Sequence, residues 1–149
     1  MVQNNAGKKI IIGCDHAGLS LKSTLKNLLN DMGYNVLDVG TDTNESCNYP
    51  VIAKSACKYL IEDIADKCIL ICGTGIGMSI AANKIKGIRA AVVSDTTSAK
   101  LSRLHNDTNV LCLGERIIGE ELAKDIVTEW LSTEFLQGRH KIRVDMLED

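Results

Sequence analysis

Apolar and polar positions fall along the chain in blocks, and each block carries one of two periods. KKIIIGCDH begins with a short continuous apolar run, which predicts a strand from about Lys8 to Gly13. Leu21, Leu25, Leu28, Leu29 and Met32 then recur at i, i+4, i+7, i+8 and i+11. That spacing is one face of a helix, and Gly33 is a natural stop just past its end. YNVLDVG predicts a second strand. TDTNESCNYP is polar and turn-rich, a ten-residue loop; its Pro50, the only proline, suits the first turn of the next helix. Ile52, Ala53, Ala56 and Leu60 supply the apolar stripe of that helix.

The same alternation continues. KCILIC predicts a third strand and IGMSIAANK a third helix. IRAAVV predicts a fourth strand, followed by a helix over roughly Thr97 to Leu104. NVLCLG is the fifth strand. Gly119 to Leu131 predicts a helix with Leu122, Ala123, Ile126, Val127 and Trp130 facing in, and a last helix spans Gln137 to Leu147. Strands that are continuously apolar, rather than alternating, are buried on both faces, which calls for a parallel sheet covered by helices. The expected fold is α/β: a single doubly wound, Rossmann-like, three-layer domain with a five-stranded parallel sheet over residues 8–149. Residues 1–7 are expected to form a short frayed tail. In such folds ligands bind beyond the carboxyl ends of the strands. The loops of interest therefore begin at Gly13, Gly40, Cys72, Ser94 and Gly114.

Composition narrows the function classes. The 149 residues are 45% hydrophobic but only 3% aromatic, so the core is aliphatic. The formal charge of -2 and the scarcity of aromatics argue against nucleic-acid binding. No apolar run approaches the ~18–20 residues of a membrane span, and the first residues, MVQNNAGK, carry no apolar leader segment. Six cysteines occur, most of them inside apolar runs, with no CxxC. They read as reduced thiols of a cytoplasmic protein rather than disulfides or zinc ligands.

Candidate chemistry concentrates in CILICGTGIGMSIAANK. Gly73, Gly75 and Gly77 let a ligand approach the backbone, and amides opening a helix form a concave site for negative charge. The pattern is neither GxGxxG nor a Walker loop, and a glycine turn with a purely structural role remains open. Cys72 ends the strand just before those amides. A thiolate is favoured at a helix N-terminus, so Cys72 reads as a base or nucleophile, or else as core packing. Cys68 should share its face but lie deeper, as inert packing. Asp15 and His16 follow the first strand, and His105 and Asn106 end the fourth helix. Asp15 and His105 are both expected on the ligand side of the sheet. Arg139 and Arg143 share a helical face and could grip one phosphate, or stand as solvated charges. Arg116 is a third candidate cation.

Taken together, GCDHAG, ICGTGIGMSIAANK, GIRAAVV, LSRLHNDTNVLCLGERIIG and GRHKIRV resemble ribose-5-phosphate isomerase of the B type, a family shared with galactose-6-phosphate isomerase subunits. The resemblance runs in order from about Lys8 to Met146. It implies interconversion of ribose 5-phosphate and ribulose 5-phosphate through a cis-enediolate, a step of the pentose phosphate pathway, with no metal and no organic cofactor. It also implies a homodimer whose sites are completed by the partner chain, with tetramers left open. Residue by residue, Cys72 matches the base and Thr74 the hydroxyl that assists proton traffic. Gly73, Gly75, Ile76 and Gly77 match the enediolate loop. His105 matches the group that opens the furanose ring, together with Asp15. His16, Arg139 and Arg143 match phosphate ligands, Asn106 and Arg116 further substrate contacts, and Tyr49 a pocket wall. Some members place a glycine at the Cys72 position and a glutamate at that of Met78. Here the cysteine-base form is implied. Alternatives are a six-carbon substrate (allose or galactose 6-phosphate) and a non-catalytic phosphate- or nucleotide-binding domain.

Overall fold

The computed structural model describes residues 4–148. The elements are β1 (Lys9–Cys14), α1 (Leu19–Asp31), β2 (Asn35–Asp38), α2 (Tyr49–Ile61), β3 (Lys67–Cys72) and α3 (Ile76–Asn83). They continue as β4 (Ala90–Val92), α4 (Thr96–Asn106), β5 (Val110–Gly114), α5 (Glu120–Ser132) and α6 (Arg139–Asp145), closed by a 3-10 turn at Met146–Glu148. All strand pairs are parallel, in the order β2-β1-β3-β5-β4.

Right-handed crossovers decide which face each helix covers. From β1 the chain steps outward to β2 and then returns past β1 to β3, so α1 and α2 lie on opposite faces. From β3 it steps past β5 to β4 and then returns, so α3 joins α2 and α4 joins α1. Two aliphatic layers result. Leu21, Leu25 and Leu29 of α1 pack with Ala99 of α4 and with Ala123, Ile126, Val127 and Trp130 of α5 on one face. Ala53, Ala56, Cys57 and Leu60 of α2 pack with Met78, Ala81 and Ala82 of α3 on the other. Each fully buried Ile or Leu of the central strands contributes about 1.5–3 kcal/mol.

Four expectations need correction. Burial on both faces holds for β1, β3 and β5 only; β2 and β4 are edge strands, each with one neighbour, and are half exposed. For the same reason IRAAVV pairs over only three residues, and Val92 is 42% exposed. Leu122 is 38% exposed, because the inward face of α5 is set by Ala123, Ile126, Val127, Trp130 and Leu131. The last helix starts at Arg139, since Gln137 and Gly138 both have positive φ, which breaks the helix before it. Of the expected tail, residues 1–3 lie outside the described residues, while Asn5 is buried and its Nδ2 donates to the Met32 carbonyl at 2.9 Å. Among the described residues no helix is long and apolar enough to cross a membrane.

Candidate active site

β3 is the middle strand, and its successor helix leaves toward one face while those of β1 and β5 leave toward the other. The carboxyl end of β3 is therefore flanked by crevices, the place where such sheets bind ligands. Cys72 is the last residue of β3, opposite Gly114 of β5, and is buried. The Gly75 amide donates to its Sγ at 3.1 Å, which fixes the sulfur against the turn.

The glycines of this loop are required by close approach as well as by backbone angle. Gly75 has φ +78°, and a Cβ there would lie 2.8 Å from Val92 and 2.9 Å from the Leu113 carbonyl carbon. A Cβ on Gly77 would lie 2.8 Å from the Tyr49 ring, so that ring lies on the first turn of α3. A Cβ on Gly73 would meet the Arg116 guanidinium at 3.1 Å. Backbone bonds lock the neighbouring loop in place: the Glu115 amide donates to the Cys72 carbonyl and the Arg116 amide to the Gly73 carbonyl, both at 3.0 Å. Thr74 is exposed, and its Oγ1 accepts the Ile76 amide at 3.2 Å.

On the other side of Cys72 stands the loop after β1. The Asp15 amide donates to the Ile71 carbonyl at 3.1 Å. The Asp15 carboxylate is buried, accepting the Ala17 amide at 2.9 Å. His16 is half-buried, and its Nδ1 accepts the Cys47 amide at 3.3 Å. The Glu115 carboxylate accepts the Leu21 amide in the first turn of α1, joining the loops that flank β3. Asp15, His16, Tyr49, Cys72 to Gly77 and Arg116 thus gather around one strand end.

His105, Asn106, Arg139 and Arg143 do not join them. α4 runs antiparallel to the strands, so its last residues reach the amino end of the sheet, about 16 Å of helix from its start. The expectation that His105 shares the ligand side with Asp15 is corrected by the direction of this helix. The His105 ring instead stacks on His140, with centroids 4.4 Å apart and planes 10° from parallel. The two rings, Asn106, Arg143, Val144 and Leu147 line a cavity of about 260 Å³. Partial burial and the neighbouring His105, Arg139 and Arg143 hold His140 below the ordinary imidazole value. This second cluster is cationic and suited to an anion.

Of the other buried thiols, Cys14 ends β1 and its Sγ donates to the Thr41 carbonyl at 3.7 Å, whereas Cys57, Cys68 and Cys112 sit within the core, away from any strand-end loop. Burial pushes Cys68 and Cys112 well up and Cys57 up to about 11, so all three stay protonated. Cys68 lies in the same core layer as Cys72, as expected for packing. The sequence reasoning missed Glu115, Cys47 and His140. Glu115 and His140 each stand next to a chosen arginine, in GERIIG and GRHKIRV, which was the available signal.

Comparison with known proteins decides the lineage. The family model described as Ribose/Galactose Isomerase matches residues 10–147. The chain belongs to this family. It is 49% identical to ribose-5-phosphate isomerase B of Escherichia coli (strain K12) over 140 residues, covering 94% of each. It is 45% identical over 130 residues to D-erythrulose-4-phosphate isomerase 2 of Mycolicibacterium smegmatis, covering 85% of this chain and 86% of that protein. The solved ribose-5-phosphate isomerase B of Clostridium thermocellum superposes with a TM-score of 0.93 at 48% identity, over 94% of this chain and 95% of that one. That fold is the three-layer α/β arrangement described above.

Proposed function

We propose that the chain is a ribose-5-phosphate isomerase acting as a homodimer in the cytoplasm, on the pentose phosphate pathway. The observation that carries the chemistry is the buried Cys72 sulfur, held by the Gly75 amide at the head of a glycine turn that opens α3. In this reading His105, with Asp15, opens the furanose ring. Cys72 takes the proton from C2 of the open aldose, and the electron pair of that C–H bond moves into the C1–C2 bond. Negative charge collects on the carbonyl oxygen. Amide donors of the Gly73–Gly77 turn face it, a contribution of about 3–4 kcal/mol for each well-aimed donor. The Thr74 hydroxyl passes a proton between the two oxygens, and Cys72 returns its proton to C1, giving the ketose. Atoms balance without an oxidant. His16, Arg139 and Arg143 hold the phosphate, Asn106 and Arg116 contact the sugar, and Tyr49 closes the wall.

The direction of α4 supports the dimer. Cys72 and His105 lie at opposite ends of one sheet, so one site can hold both only if a second chain contributes one of them. Ile76 and Ile80, one turn apart on α3, are 53% and 57% exposed, and Val92 beside Gly75 is exposed too. An apolar rim around the candidate site suits burial by a second copy. Six free thiols suit a reducing compartment.

The test is an isomerisation assay with ribose 5-phosphate, alongside exchange of the C2 proton with solvent. Cys72→Ala should lose both, by about a thousandfold or more, while still binding substrate. Normal turnover in that variant would remove Cys72 from the mechanism. The relative named for D-erythrulose 4-phosphate favours a second reading in which sugar length is the variable, so four- and six-carbon phosphates belong in the same assay.

A further inference from the structure

His140 carries none of the roles given above, yet it is the residue that the His105 ring lies against. Within the chain, among the described residues, the His105 ring makes no hydrogen bond. Its one stacked partner is His140, with centroids 4.4 Å apart and planes 10° from parallel. A histidine that moves protons is ordinarily aimed by a hydrogen bond from one ring nitrogen to a carboxylate or a carbonyl. Here a flat ring stands in that place.

The chain ties the two rings together. His105 stands at the end of α4, and the Leu136 amide donates to the carbonyl of its neighbour Leu104 at 3.1 Å. Gln137 and Gly138, with φ of +63° and +59°, then turn the chain into α6, and the His140 amide closes that turn on the Gln137 carbonyl at 3.2 Å. Val144, one turn along α6 and on the same face as His140, is buried and seats the helix. Both rings are half-buried and line the same cavity with Asn106 and Arg143. A second imidazolium at this distance would repel a proton on His105. Partial burial, and then His105, Arg139 and Arg143, hold His140 below the ordinary imidazole value, so the flat neighbour is an uncharged ring at neutral pH.

We propose that His140 is a positioning residue for ring opening: its face holds the His105 imidazole in the one plane from which a ring nitrogen reaches the furanose. The inference rests on the reading of His105 as the ring-opening group. Opening breaks the C1–O4 bond, whose electron pair goes to O4 as O4 takes up a proton. The hydroxyl on C1 loses a proton, and its O–H electron pair becomes the C=O bond of the aldehyde. Nothing is oxidised or reduced. Only a nitrogen in line with one of these oxygens can carry its proton, so a tilted His105 ring loses the step.

The two substrates of the reaction separate this step from the rest. Ribose 5-phosphate is a closed furanose. Ribulose 5-phosphate is not, because the oxygen that would close its five-membered ring, O5, carries the phosphate. The experiment measures kcat in both directions for the native protein, His140→Leu, His140→Phe and His105→Asn. His140→Leu removes the flat face and should lower kcat for ribose 5-phosphate by about tenfold or more. Its kcat for ribulose 5-phosphate, which needs the same phosphate grip and the same Cys72 turn, should stay within about threefold of native. His140→Phe restores a flat uncharged ring and should recover most of the loss. Native behaviour of His140→Leu in both directions overturns the proposal. So does an equal loss in both, which would mark a role in phosphate binding or folding, and so does a Phe variant no better than Leu. His105→Asn tests the underlying reading separately: it should show the same one-sided loss, and if it does not, the ring-opening role of His105 falls and the positioning role of His140 with it.

Discussion

Gly75 holds three roles that no other residue type can fill together. Its φ of +78° is open to glycine and costly for a side chain, its missing Cβ makes room for Val92 and the Leu113 carbonyl, and its amide holds the Cys72 sulfur. Gly75→Ala should therefore destabilise the fold by about 1–3 kcal/mol in urea unfolding. If the variant folds, its turnover should drop more than its substrate affinity, because the loop moves relative to the sulfur while the phosphate ligands stay put. Unchanged stability would mean that the turn relaxes freely. The glycines were legible as a loop that approaches something closely. What they approach was not: the Tyr49 ring over Gly77 and the Arg116 guanidinium over Gly73 come from elements far apart in the chain, and no local pattern encodes that approach.

α1 and the loop after β2 are joined by charge. Lys22 is buried, and its Nζ donates to Asp38 at 3.0 Å, Asp42 at 3.1 Å and the Thr41 carbonyl at 2.7 Å, while Lys26 meets Asp38 at 2.9 Å. This anchors the start of the segment that delivers Cys47 to His16 and Tyr49 to Gly77. Burial opposes the charge on both partners, but the bonds to Lys26 and Lys22 outweigh it for Asp38 and hold its carboxyl below the usual range. The bonds to Asp38 and Asp42 likewise hold Lys22 above its usual range. A depressed carboxyl stabilises the fold above its unfolded pKa and ceases to do so as pH falls through the folded one. The Asp38 contribution should thus be full above about pH 4 and vanish in stronger acid. A raised amine acts in the opposite sense, so the Lys22 contribution is full at neutral pH and lost only above about pH 10.5. Lys22→Met should cost about 2 kcal/mol at neutral pH, and the difference from the native chain should shrink in acid below about pH 4. A difference independent of acid pH would assign the loss to packing instead. At this scale the periodicities located every strand and helix core, because burial writes them into local sequence. The ends were less legible where the chain leaves the helix through positive φ, at Gln137 and Gly138, and where an edge strand lacks a second neighbour, at β4.

Helix direction, rather than helix position, separates the candidate site into halves. The sequence shows that His105 and Asn106 end α4; only the crossover from β4 to β5 shows that this end faces away from Cys72. A cluster of His105, His140, Arg139 and Arg143 without a nucleophile, and a Cys72 turn without a phosphate grip of paired arginines, are complementary in charge and chemistry. If each site takes its turn from one chain and its cationic cluster from the other, two different inactive chains should rescue each other. Cys72→Ala and His105→Asn are each expected to be inactive alone. In a mixed dimer one site inherits both substitutions and the other inherits neither. Random reassociation of equal amounts makes half of the dimers mixed, each with one of its two sites intact, so about a quarter of native activity should return. Recovery should follow the unfold–refold step that exchanges subunits, and size-exclusion chromatography coupled to light scattering should show the dimer before and after that step. A mixture that stays inactive despite proven exchange would mean that one chain supplies both residues, which the direction of α4 does not permit without refolding this end of the molecule.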